Sequence, residues 1–321
     1  MSQRFQHQPD ASAGLVPTRP RIGDRVFGGL STGSGILILV VLAAVALFLL
    51  AQAVPALTSS PDDLTESGYG PFWSWVLPFA FGTVWAAFLA LLIAVPVSLG
   101  IALFISHYAP RRLARGLGYL IDLLAAVPSV VYGLWGIYVL APTLQPAHAW
   151  LNTNLGWFTP FSGQVSGTGR TMFTVSIVLA VMILPIITSL CREVFLQTPK
   201  LHEEAALALG ATRWEMIRMA VFPFARAGIV SAIMLGLGRA LGETMAVAMV
   251  LSGAGVITFE ILTQQNPNTI AANIALNFPE AYGLKTSQLI ASGLVLFLIT
   301  LAVNMLARWI VARRADFSGA N

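Results

Sequence analysis

Long apolar runs dominate the chain, and shorter polar stretches separate them. Six runs are long enough to cross a bilayer, because a spanning helix needs about 20 mostly apolar residues. We expect these spans at residues 36–54, 83–105, 119–140, 173–190, 223–252 and 287–307. Pro96, Pro128 and Pro185 fall inside three of them, where each proline removes a backbone donor and favours a kink. The pattern predicts an all-α integral membrane protein with six transmembrane helices.

The basic residues lie mostly beside one set of alternating polar stretches. Fifteen of the eighteen Lys and Arg residues fall in residues 1–35, in or beside the loops after the second and fourth spans, or near the C-terminus. The intervening loops carry only Arg170 and Lys285. By the positive-inside rule, this bias predicts that both termini are cytoplasmic. The net charge of +4 therefore reflects membrane topology and does not indicate a nucleic-acid partner.

Composition supports a membrane protein, and the motifs argue against a self-contained enzyme. Only 10% of the residues are charged, whereas soluble domains are about one quarter charged. A P-loop needs a Gly-Lys pair, but the two lysines, Lys200 and Lys285, follow proline and leucine. One cysteine, Cys191, can form neither an internal disulfide nor a metal cluster. We therefore expect a transport subunit that has no ATPase site and binds no cofactor or metal.

The polar stretch after the fourth span has the pattern of a short helix–turn–helix. A Thr-Pro pair signals a helix start, and Glu203 and Glu204 follow where the helix dipole favours acids. We expect Gly210 to stop or bend this helix. A second helical stretch should then continue up to Pro223.

Within this stretch, the segment EAALALG resembles the EAA loop of ABC importer permeases. In that family the loop forms a coupling helix that sits in a groove of a separate ATPase subunit. The usual pattern ends in Ile-x-Leu-Pro, whereas Ala220 and Phe222 stand at the Ile and Leu positions here. The resemblance places a coupling loop at residues 197–222. It assigns ATPase coupling to Glu203, Glu204, Ala205, Gly210 and Pro223.

Three further segments resemble permeases of the PstC type. They read VSLGIALFISHYAP (97–110), AAVPSVVYGLWG (125–136) and MLGLGRALGETMAV (234–247), and the similarity covers most of residues 80–310. The resemblance implies a MetI-like permease fold in the bacterial cytoplasmic (inner) membrane and a function in ATP-driven phosphate import. It also implies partners: a PstA-like permease, a PstB-like ATPase dimer that carries ATP and Mg, and an external PstS-like phosphate-binding protein.

These observations suggest a division of the chain into four parts. We expect a cytoplasmic tail at residues 1–35, the first transmembrane helix and an outer loop at 36–79, a permease core at 80–310, and a cytoplasmic tail at 311–321. Besides a membrane scaffold or sensor that binds such partners without transport, two alternative functions remain open. One is a permease for another oxyanion, such as molybdate or sulfate. The other is an ion-coupled secondary transporter, which would need neither an ATPase nor a coupling loop.

Two charged residues interrupt the fifth predicted span. On one continuous helix, Arg239 and Glu243 are four residues apart and share a face. Gly238, Gly242 and Ala246 then form a ridge of small residues, which favours close helix packing. An unpaired charge in mid-bilayer costs at least about 2.5–3.5 kcal/mol on insertion scales. The two charges therefore have either a structural role, as an ion pair or in bonds across to a partner subunit, or a role in the substrate pathway. In the second case Arg239 contacts the passing phosphate, and Glu243 holds Arg239 in place and keeps it from trapping the anion.

Overall fold

A computed structural model describes residues 22–315, and the outer parts of the two predicted tails lie outside the described residues. The helices are α1 (Ile22–Thr58), α2 (Pro61–Ser67), α3 (Phe72–Leu103), α4 (Arg111–Ala125), α5 (Ser129–Trp135), α6 (Ala141–Leu155), α7 (Met172–Leu196), α8 (Lys200–Ala208), α9 (Arg213–Met216), α10 (Phe222–Leu241), α11 (Met245–Val250), α12 (Ile270–Asn277) and α13 (Leu284–Ala315). Five helical stretches are long and apolar enough to span a membrane, and a bent helix pair is a sixth candidate. The only β-structure among residues 22–315 is isolated bridges, so the all-α prediction is confirmed.

The chain divides into two compact units between Leu49 and Leu50. Within the described residues, the first unit is the amino-terminal part of α1. Its apolar side chains, such as Leu39 and Leu47, are mostly exposed. The second unit contains α2 to α13 and the hydrophobic core.

Helix α7 is central to the second unit, and α3 and α10 pack against it. Ser98 on α3 donates a hydrogen bond to the Leu184 carbonyl of α7 at 3.2 Å. The buried face of α3 has a small residue at every fourth position. These residues are Ala86, Ala90, Ala94, Ser98 and Ala102. Such a stripe lets two helices approach closely without large side chains between them.

Three helical stretches widen just before a proline. The widened, π-helical turns cover Phe104–Tyr108, Gly136–Leu140 and Ile217–Val221, and Pro110, Pro142 and Pro223 stand two residues beyond them. At Pro110 the helix has already ended, with Ala109 extended. At Pro142 and Pro223 the helix continues; because proline has no N–H and its ring crowds the preceding turn, the widened turn accommodates it where a regular turn would clash. As a result, one helical stretch runs from Arg213 to Leu241. Our expectation that the second stretch of the loop stops before Pro223 is therefore wrong.

The third predicted span, residues 119–140, is not a single helix. Helix α4 and the helical stretch Ser129–Leu155, which begins with α5, meet at an angle of 91°. The break falls at residues 126–128, because the residue before Pro128 disfavours helical geometry. The Tyr132 hydroxyl donates a hydrogen bond to the Leu124 carbonyl at 2.9 Å. The Leu124 carbonyl also accepts from the Val127 amide at 3.3 Å, but its i+4 partner is Pro128, which has no N–H, so the hydroxyl adds a donor where the regular helical bond is missing.

Candidate functional site

The charged segment lies at a break between two helices. Helix α10 ends at Leu241 and α11 begins at Met245, so one helix across residues 223–252 is a wrong prediction. The continuous ridge of Gly238, Gly242 and Ala246 is wrong for the same reason. A Cβ added to Gly238 would meet no atom within 4 Å, and Gly242 is exposed. In the part of the chain that the structure describes, neither glycine packs against another helix.

Glu243 caps α11 and does not pair with Arg239. Its Oε1 accepts a hydrogen bond from the Ala246 amide at 3.0 Å, and its side chain is 7% exposed. A carboxylate there suits the positive end of the helix dipole. Among the side chains that the structure describes, the only ion pair within 4 Å joins His107 and Glu203. The predictions of an internal Arg239–Glu243 pair, and of Glu243 holding Arg239 in place, are therefore both wrong.

The opposite end of α11 is capped by Arg170. Its guanidinium donates hydrogen bonds to the carbonyls of Met249 and Val250 at 3.1 and 3.4 Å. A cation at a helix C-terminus complements the negative end of the dipole. The sequence does not reveal this role, because Arg170 lies 79 and 80 positions from the carbonyls that it binds.

Arg239 faces an open cavity of about 830 Å³ between α7, α10 and α13. Most lining residues are apolar, and its polar side chains are Ser231, Arg239, Asn304 and Arg308. No described acidic side chain lines the cavity. Two guanidinium groups without a carboxylate provide donors that match the oxygens of a tetrahedral anion. From the sequence, Arg308 counts only among the basic residues near the C-terminus, although its i, i+4 spacing from Asn304 indicates a shared helix face.

The segment around Glu243 packs directly on the segment that follows the 91° bend. A Cβ on Gly133 would lie 3.1 Å from the Cα atom of Ala246 and 3.0 Å from the Met249 sulfur. A Cβ on Gly136 would lie 2.7 Å from a methyl group of Val250. These distances leave no room for a side chain. Two of the three segments that resemble PstC-type permeases therefore form one helix–helix contact, which positions the break beside Arg239.

The predicted helix–turn–helix is present, and Gly210 ends its first helix. Gly210 has φ +84°, a left-handed conformation that glycine adopts without strain. Its amide donates a hydrogen bond to the Leu207 carbonyl at 3.0 Å, and the Ala211 amide bonds to the Ala206 carbonyl at 3.2 Å. This pair of bonds is the Schellman motif. It fixes the direction in which the chain leaves α8.

A second helix-end motif, at the start of α9, begins two residues after Gly210. The Thr212 amide donates a hydrogen bond to the Glu215 carboxylate at 2.8 Å, and the Glu215 amide donates to the Thr212 hydroxyl at 3.3 Å. This reciprocal pair is a capping box, which fixes the start of α9. We call residues 209–212 the elbow. Because a helix-end motif holds each side of it, the elbow joins α8 and α9 in one defined geometry.

The surface around the elbow is apolar and exposed. Helix α8 has no buried side chain, and Leu209 is 90% exposed. Ala205, Gly210 and Pro223 line one cavity of about 820 Å³ beside the elbow. Such a patch on a folded chain marks an interaction surface. The other two predicted coupling residues lie apart from this cavity, since Glu203 lies 3.6 Å from His107 and Glu204 is exposed.

Comparisons with known proteins agree with this architecture. Residues 94–316 match the family described as binding-protein-dependent transport system inner membrane component. The chain is 46% identical over 314 residues to the phosphate transport system permease protein PstC 2 of Mycobacterium tuberculosis, which covers 94% of this chain and 96% of that protein. It is 47% identical over 282 residues to the phosphate transport system permease protein PstC of Mycobacterium leprae, which covers 84% of this chain and 88% of that protein.

A solved structure shares the fold at low sequence identity. It is a bacterial ABC transporter involved in the import of the acidic polysaccharide alginate, with a TM-score of 0.60 and 16% identity, and it covers 91% of this chain and 97% of that chain. This similarity supports the fold alone. The family match and the two relatives show that the chain belongs to the binding-protein-dependent inner membrane transport components and, among them, to the PstC-type permeases.

Proposed function

We propose that this chain is the transmembrane permease subunit of an ATP-driven importer that moves inorganic phosphate into the cytoplasm. Its relatives at 46–47% identity are named phosphate transport system permeases. The observation that carries the proposal is Arg239, which faces a cavity that holds Arg308 and is lined by no described carboxylate. Phosphate presents several oxygens to such guanidinium groups, and a nearby carboxylate would repel it.

The proposed setting is the bacterial inner membrane, with both termini in the cytoplasm. Under this orientation, the basic loops and the elbow face the cytoplasm. We propose that a PstB-like ATPase dimer docks on the apolar surface around the elbow. A homologous PstA-like permease would complete the pathway, and an external PstS-like protein would deliver phosphate. This chain contributes no ATP site of its own.

One continuous helix connects the elbow to Arg239. The stretch Arg213–Leu241 begins directly after the elbow and carries Arg239 near its far end. At 1.5 Å per residue, the two ends of this path are about 39 Å apart. Because the elbow is held by two helix-end motifs, a displacement of α8 moves the start of this stretch with it. In the proposed mechanism, ATPase closure thus reorients the cavity at Arg239 and opens it alternately to each side.

Uptake normalised to the amount of assembled complex tests this function. Arg239→Lys keeps the charge but loses the planar fork. Losing one charge-assisted hydrogen bond, about 1.5 kcal/mol, should lower phosphate uptake about tenfold. Arg226→Lys is the matched control, because Arg226 lies on the same helix and outside the cavity lining. Uptake unchanged in Arg239→Lys would argue against a required phosphate contact.

The same assay separates the alternative functions. Faster uptake of sulfate or molybdate than of phosphate would assign a different oxyanion. Uptake that persists with a catalytically inactive partner ATPase would indicate an ion-coupled secondary transporter.

A further inference from the structure

A second charged cleft lies at the end of the molecule that carries α8, apart from the Arg239 cavity. It has a volume of about 580 Å³ and lies between the end of α3, one face of α4 and the end of α7. Four cationic side chains and one carboxylate line it: Arg111, Arg115, Arg192, Lys200 and Asp122. None of these five side chains forms an ion pair within 4 Å with another side chain that the structure describes. The cleft therefore holds an excess of positive charge that the described chain does not neutralise.

The backbone adds to this positive field. Helices α4 and α8 both begin at the cleft, after Pro110 and Pro199, and neither N-cap provides a side-chain hydrogen bond. The first-turn amides of both helices are thus left without a side-chain acceptor. The first turn of α4 contains no acidic residue, and the one in α8, Glu203, lies against His107. A helix N-terminus carries partial positive charge, which nearby cations do not neutralise. The cationic side chains and the two helix N-termini together therefore favour an anion from outside the chain.

One part of the cleft wall is apolar, and it includes one aromatic residue. Tyr119 and Leu196 line it and are 70% and 57% exposed, and Leu113 is exposed on the same helix as Tyr119. A free phosphate ion needs no apolar wall, whereas the acyl chains of a lipid do. Basic pockets between transmembrane helices are typical headgroup sites, and tyrosine is enriched at the membrane interface. We propose that this cleft binds the phosphate headgroup of an anionic phospholipid, with its acyl chains along the apolar wall.

The cleft is connected to the start of the coupling helix in two ways. Lys200, the first residue of α8, lines the cleft itself. Ser106 also lines the cleft, and its hydroxyl lies 2.7 Å from Nδ1 of His107, whose Nε2 lies 3.6 Å from the Glu203 carboxylate. A bound headgroup therefore stabilises the first turn of α8 against α3 and α4. That this affects ATPase coupling rests on the proposed function, whereas lipid binding does not.

Lipid binding to the purified full-length chain tests the proposal directly. The chain is stripped of lipid and titrated with phosphatidylglycerol, with phosphatidylcholine and, separately, with inorganic phosphate, and bound ligand is counted by native mass spectrometry. The cleft variant is Arg115→Gln with Lys200→Gln. The control is Arg112→Gln with Arg218→Gln, which removes the same charge outside the cleft lining. All four side chains are exposed, so both variants should fold.

We expect phosphatidylglycerol to bind the wild type and the control equally, and the cleft variant about thirtyfold more weakly. This factor follows from about 1 kcal/mol per cation near an anionic lipid. Equal affinity of the cleft variant and the wild type, or equal binding of phosphatidylcholine, would overturn the proposal. Binding of inorganic phosphate that is lost in the cleft variant would overturn the lipid as occupant and assign the site to the free ion. None of these outcomes depends on transport, so they leave the proposed function to its own test.

Discussion

Substituting Gly210 tests whether the geometry of the elbow couples the ATPase to transport. Gly210 has φ +84°, and a Cβ added there would meet no atom within 4 Å. A larger side chain therefore has space, and its cost is the left-handed backbone alone. That cost is about 1–2 kcal/mol for a residue with a Cβ, and it is highest for a β-branched side chain. Asparagine tolerates the conformation much better.

We expect a graded loss of ATPase binding in the order Gly210→Asn, Gly210→Ala and Gly210→Val. At about 1–2 kcal/mol, the valine variant populates the native elbow roughly five- to thirtyfold less than the wild type. The Schellman bonds of Ala211 and residue 210 would be lost in the alternative conformation. The assay is co-purification of the ATPase with the chain, together with phosphate uptake normalised to the chain in the membrane.

Gly283→Val is the matched control for backbone strain. Gly283 also has a positive φ, +58°, and open space around its Cβ position, but it lies before α13 and outside the coupling loop. Its valine variant should suffer similar local strain and yet retain ATPase binding. Wild-type co-purification and uptake in Gly210→Val would refute the coupling role of the elbow. An equal loss of ATPase co-purification and phosphate uptake in both valine variants would show that general destabilisation causes the effect.

Two further predictions concern the broken span. Arg239→Ala and Glu243→Ala should act independently, because the two side chains do not pair. In a double-mutant cycle on uptake per assembled complex, we expect a coupling energy below about 0.5 kcal/mol. A coupling energy above about 1 kcal/mol would contradict this. Gly133→Leu should sharply lower the amount of folded chain in size-exclusion chromatography, since a Cβ atom at residue 133 would already lie 3.1 Å from the Cα atom of Ala246. A normal elution profile would show that α5 and α11 can separate.

The elbow is predictable from sequence because its determinants are local. A helix start after a proline and a glycine at the helix end act within a few residues. The capping box of Thr212 and Glu215 also follows the S/T-x-x-E pattern. Gly210 could therefore be assigned to the turn before the structure was known. The continuation of the helix through Pro223 could not be assigned in this way, because a widened turn has no sequence signature of its own.

The break after Leu241 could not be predicted in the same way. Long apolar stretches lie on both sides of the charged segment, and no proline marks the position. Hydropathy therefore favours one uninterrupted span, and the i, i+4 spacing of Arg239 and Glu243 then predicts an ion pair that does not form. One signal was available. The predicted span of residues 223–252 is thirty residues long, well beyond the roughly 20 that a bilayer requires. A run of that length indicates a tilt or a break.

The break explains how the chain tolerates charges in a largely apolar segment. Arg239 lies in the last turn of α10, where the helix dipole favours a cation, and Glu243 caps the start of α11, where it favours an anion. Arg170 completes the pattern at the end of α11. Each such placement contributes about 0.3–1 kcal/mol and up to about 2 kcal/mol when partly buried, against about 2.5–3.5 kcal/mol for an unpaired charge in mid-bilayer. An uninterrupted helix would provide none of these termini. The break therefore offsets much of the cost of the charges, and it leaves Arg239 free of Glu243 and directed into the cavity.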